Sequence, residues 1–149
     1  MDPLIALTLD RSPRVYHGGE TVRIEYQIDA VDPHDMQAIE ASVLWFTEGK
    51  GEPDMGVHFF HRATPDDVEL GDMRPLQRLD VVLPPSPLSY DGVILKIRWC
   101  VRIRLFLTKG REYLEEQGFQ LGDVPPSMPI SPVRGGAAGR KEAEDENEE

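Results

Sequence analysis

Residues 94 to 107 read ILKIRWCVRIRLFL. Lys96, Arg98, Arg102 and Arg104 alternate there with Ile97, Trp99, Val101, Ile103 and Leu105. A period of two is that of a strand, so the four cations share one face. The chemistry such a stripe offers is anion binding, because the planar guanidinium fork pairs bidentately with carboxylate or phosphate. Two readings stand. In one, the stripe faces an acidic or phosphorylated protein, or anionic lipid headgroups in a peripheral membrane contact. In the other, it is paired within the sheet by Glu112, Glu115 and Glu116 of the next strand, each cross-strand pair contributing about 0.2–1 kcal/mol. Alternation lets only one or two of those glutamates share the stripe's face.

The remaining reactive residues point to no chemistry. His58 and His61 form H-x-x-H near Asp54, Asp66 and Asp67. In a regular strand positions three apart face opposite ways, so the pair shares a metal only if the backbone bulges. Cys100 sits between Trp99 and Val101 with no base or orienting group marked in the sequence, which suits an inert thiol. Asp66, Asp67, Glu69 and Asp72 lack the spacing of a calcium-binding EF-hand. The glycine pairs at 18–19 and 135–136 lack the strand–loop–helix context of a phosphate loop. No catalytic residue, metal or cofactor is expected.

The elements that must position the stripe are strands. PLIALTL opens the chain, and Thr21–Val31 alternates Val22, Ile24, Tyr26, Ile28 and Ala30 against polar neighbours. Gln37–Glu48 carries Ile39, Ala41, Val43 and Trp45 on one side but Leu44 and Phe46 on the other, so both of its faces are partly covered. MGVHFFHRA, LQRLDVVL and Glu112–Leu121 complete the set, separated by turns rich in glycine, proline and aspartate. The one candidate helix is a short turn within Asp66–Asp72. This pattern predicts an all-β, antiparallel β-sandwich of about seven or eight strands, immunoglobulin-like in build.

Near residue 122 the composition changes. Prolines, then Gly-Gly-Ala-Ala-Gly, then EAEDENEE read as a disordered tail over residues 122–149, leaving residues 1–121 as one domain. The six carboxylates of that ending, on a flexible tether, would compete internally for the arginine stripe. The net charge of −11 argues against duplex nucleic acid as the main partner. One cysteine allows no internal disulfide, no stretch reads as a secretory signal, and no apolar run reaches the roughly 18–20 residues that span a bilayer. A cytoplasmic location is the expectation.

Three stretches together resemble the arrestin-like domain family, over roughly residues 3–121. Val15-Tyr16-His17-Gly18-Gly19-Glu20-Thr21-Val22 is similar to the family's Y-x-x-G-E-x-V lead-in to an early strand. Leu76–Pro84 is an alternating strand ending in Leu-Pro. Pro84-Pro85-Ser86-Pro87-Leu88-Ser89-Tyr90-Asp91-Gly92, followed by Ile97-Arg98-Trp99, resembles L-P-x-x-x-P-x-S-F-x-G … I-x-Y, with Tyr90 in place of Phe and Trp99 in place of Tyr. Arrestins carry two sandwiches and this chain has room for one, as in bacterial arrestin-like or sporulation-control-like proteins. The resemblance implies a non-catalytic adaptor or scaffold that binds another protein. The alternatives are a structural subunit that docks on another β-sandwich or forms a homodimer, and a β-sandwich enzyme or carbohydrate-binding module.

Overall fold

Alternating apolar residues become strands wherever turn residues leave them uninterrupted. In the computed structural model, which describes residues 2–123, these are Leu4–Leu9 (β1), Val15–Tyr16 (β2), Thr21–Asp29 (β3), Met36–Gly49 (β4), Met55–Ala63 (β5), Gln77–Val82 (β6), Tyr90–Asp91 (β7), Leu95–Leu107 (β8) and Glu112–Leu121 (β9). Two of the nine strands are two-residue pairings, which accounts for the difference from the expected seven or eight. β1, β3 and β6 form a three-stranded antiparallel sheet with β3 in the middle. The second sheet runs β2-β9-β8-β4-β5, with β7 also paired to β8. It is antiparallel except for β2 and β9, which are parallel.

The core lies between the two sheets. β3 contributes Val22, Ile24, Tyr26 and Ile28 from one side. β8 contributes Trp99, Val101, Ile103, Leu105 and Leu107 from the other, beside Ile39, Ala41 and Val43 of β4. β3 ends two residues earlier than its alternation suggests, because Ala30 takes a left-handed backbone with φ of 61°. The segment Asp66–Asp72 forms single 3-10 turns at Pro65–Asp67 and Glu69–Gly71. Residues 84–89 carry the chain from one sheet to the other, where proline's missing N–H costs no ladder bond.

The glycines of the arrestin-like stretches have distinct jobs. Gly19 supplies a positive φ of 86° for the turn into β3. Gly18 is needed for space, since a Cβ there would sit 2.8 Å from the Pro85 Cα. Between them and β1, Tyr16 is fully buried and its hydroxyl donates to Asp10 Oδ1 at 2.7 Å. Its ring packs edge-on against Phe119 and lies under the Arg11 guanidinium.

Asp10 ties this corner together and sets an acid limit. Burial works against its ionisation, but bonds from the Arg23 backbone N–H and the Tyr16 hydroxyl outweigh it, so its pKa falls below the ordinary 3.8. A carboxyl depressed in the folded state stabilises the fold above its unfolded pKa, and the contribution is lost as pH falls through the folded value. Below about pH 4 the protein is therefore expected to lose stability, and Asp10→Asn to flatten that loss while lowering stability at neutral pH. Urea midpoints of both proteins measured between pH 7 and pH 2 check this.

Candidate binding surface

The outer face of the six-stranded sheet follows from register. Glu40, Ser42, Leu44, Phe46 and Glu48 of β4 stand opposite Arg104, Arg102, Cys100, Arg98 and Lys96 of β8. On the other side of β8, Arg102 faces Glu116 and Cys100 faces Gly118 of β9. Strand alternation thus brings the whole predicted stripe onto one surface.

Each stripe cation meets a carboxylate of the same domain. Lys96 Nζ lies 2.8 Å from Asp91, Arg98 Nε 3.1 Å from Glu48, Arg102 Nε 2.6 Å from Glu116 and Arg104 Nε 2.8 Å from Glu112. Arg98 Nη2 also approaches Asp91 at 3.9 Å. The Arg104 contact is a charge pairing without hydrogen-bond geometry, so its buried Nε has no directed partner. Of the three glutamates of β9, Glu112 and Glu116 share the stripe's face and Glu115 points the other way, opposite Ile103. Pairs this exposed contribute about 0–1 kcal/mol each, small enough for an external anion to exchange with the glutamates.

Between the charges the same face is apolar. Leu44 is 1% exposed and Cys100 4%, the double coverage expected of β4. Burial, helped by the Glu116 carboxylate, pushes the Cys100 thiol up to about 11, which leaves it protonated and unreactive at neutral pH.

A groove of about 670 Å³ runs across this face toward β2. Phe46, Cys100 and Gly118 line it together with Arg14, Arg98 and the carboxylates Glu48 and Glu116. Arg14 Nε donates to the Gly118 carbonyl at 2.7 Å, which holds the guanidinium at the groove's edge. No carboxylate among the described residues pairs with Arg14, in contrast to the stripe arginines. A Cβ on Gly118 would have only the Trp99 carbonyl oxygen, 3.7 Å away, within 4 Å. The glycine therefore leaves room that any side chain would take. Sequence reading missed Arg14, because its place depends on a contact spanning 104 residues.

The two histidines come to the same side of the sheet. Val43 pairs with Phe59 and Leu44 with Val57, so His58 is the extra residue of a β-bulge. The bulge breaks the alternation that would have separated His58 from His61. His58 Nε2 bonds the Val82 carbonyl at 2.7 Å and its ring meets Trp99 edge-on, linking β5 to β6. Among the described residues no cluster of three or more metal-ligating side chains occurs, and no helix is long and apolar enough to cross a membrane. The predicted tail, including its acidic ending, lies outside the described residues apart from Gly122 and Asp123.

The sequence matches no protein-family description, and comparison with curated proteins finds no match. Among solved structures, the sporulation control protein of Bacillus subtilis is similar, with a TM-score of 0.58 and 14% sequence identity. The likeness covers 81% of this chain and 49% of that one, so the chain spans about half the length of the protein it matches. Identity this low speaks to architecture alone, and in architecture the chain is an all-β, arrestin-like sandwich.

Proposed function

We propose that this domain is a non-catalytic adaptor that holds an acidic or phosphorylated segment of another protein in the groove between β2 and β4. The observation that carries this reading is Arg14, a groove-lining guanidinium fixed through Nε to Gly118 and lacking a carboxylate partner among the described residues. Its two Nη groups offer an anion a forked contact over an apolar floor of Phe46 and Cys100, and Arg98 would join by giving up its exposed pairing with Glu48. The exposed ion pairs of the stripe, including Lys96, Arg102 and Arg104, extend the surface a longer peptide would cross. Peptide recognition by an arginine cluster is an established mode of adaptor domains.

An array of phosphoserine-containing and glutamate-rich peptides probed with the full chain tests the proposal. Binding is expected to favour phosphorylated or acidic peptides. It should weaken at least about tenfold in Arg14→Ser/Arg98→Ser, a loss of about 1.4 kcal/mol, and fall with added salt. Binding that ignores peptide charge, or that survives the double substitution, would overturn it.

A further inference from the structure

We propose that β5 is a self-association edge, through which two copies of this chain pair their β5 strands antiparallel about a two-fold axis between His58 and Phe59. β5 is the terminal strand of the six-stranded sheet, so the backbone groups along its outer edge have no strand partner among the described residues. The nine-residue strand contains neither lysine nor proline, two residues that commonly blunt such edges. Its outer face instead exposes Met55, Val57 and Phe60, each just over half accessible.

The bulge makes this strand complementary to itself. Because His58 and Phe59 point to the same side, the outward residues are Met55, Val57, Phe60 and Arg62 rather than a simple alternating set. Turning the strand over about the point between His58 and Phe59 exchanges Val57 with Phe60 and Met55 with Arg62. Outward residues thus meet outward residues along the full length, which an axis at that point would not give in an unbulged strand. A bulge ordinarily disrupts pairing at an edge; placed on the axis, it leaves a regular half-ladder on each side.

Charge agrees with this direction. The approach to β5 is acidic, with Glu52 and Asp54, and its far end carries one outward cation, Arg62, which is bonded to Glu40 of its own domain at 2.6 Å and would have to share that partner. Antiparallel pairing sets Glu52 and Asp54 of each copy beside Arg62 of the other, whereas parallel pairing would stack the two acidic ends on each other. A C2 arrangement of this kind is isologous and closes at two copies. The groove assigned above lies toward β2, at the opposite edge of the sheet, so the two proposals stand or fall separately.

Sedimentation equilibrium of the full chain, from about 10 µM to about 500 µM, tests for association in the range where an interface of modest size would show. The expected result is a doubling of mass for wild type and a monomer throughout for Val57→Lys/Phe60→Lys, with unchanged circular dichroism. These side chains are more than half exposed, so the variant is expected to fold. The register is read in a Cys100→Ser background by mixing Val57→Cys with Phe60→Cys under oxidation. Facing Cβ atoms about 4.5–5.5 Å apart should yield the mixed disulfide in preference to either homodimer. A wild type that stays monomeric, a dimer indifferent to the lysines, or equal cross-linking of all three species would each overturn the proposal.

Discussion

Replacing Trp99 by alanine is expected to remove about 3–5 kcal/mol of folding stability, the range for deleting a large buried aromatic. Against the roughly 5–15 kcal/mol that a domain has in total, this is the most damaging single change we foresee. Trp99 is 1% exposed and packs beside Phe119 with ring centres 5.8 Å apart. It also has a polar role. Its indole N–H donates to the Pro87 carbonyl at 2.7 Å, which pins the proline-rich crossing between the sheets to β8. The two contributions separate by experiment. Trp99→Phe keeps most of the ring volume but leaves the carbonyl without its donor, and should cost about 1–3 kcal/mol. Urea unfolding followed by circular dichroism gives both values, and an alanine variant within about 1 kcal/mol of wild type would contradict this account of the core.

The second large effect is expected at Gly49, where β4 turns toward β5. Its φ is 131°, and a Cβ built there would overlap the Ile94 carbonyl oxygen. That oxygen accepts the neighbouring Lys50 N–H at 3.2 Å, so the β4–β5 loop and the β7–β8 turn are packed backbone to backbone. Gly49→Ala must both strain the dihedral and push the two loops apart. A loss of about 2–3 kcal/mol follows. Gly51 is the control: its φ of 96° also disfavours alanine, but nothing lies within 4 Å of the added carbon. Gly51→Ala should therefore cost only about 1 kcal/mol. Equal losses at the two glycines would show that dihedral strain alone matters. Hydrogen exchange at Lys50 should rise in the Gly49 variant and stay near wild type in the other.

The groove and the β5 edge owe their features to different parts of the sequence. Lys96, Arg98, Arg102 and Arg104 were visible as one face because alternation in a strand is local. Their partners were half visible: a glutamate on the following hairpin strand is easily anticipated, and Glu112 and Glu116 fill that role. Glu48, the partner of Arg98, comes from β4, 50 residues earlier, and nothing local announces it. The same holds for Arg14, and for the bulge at His58, which appears only when β5 is laid against β4.

By itself the sequence determined the strands, their turns and the sandwich class, because a period of two and the backbone preferences of glycine and proline act over a few residues. It also placed Trp45 and Trp99 on the inward sides of their strands, where Trp99 is 1% exposed and Trp45 is partly buried against the core. Tertiary structure alone decided which charges neutralise one another, which arginine lacks a carboxylate partner among the described residues, and which strand ends the sheet. Those outcomes depend on pairing between distant segments: charge interactions fall off over a few ångströms, and register fixes which side chains come that close.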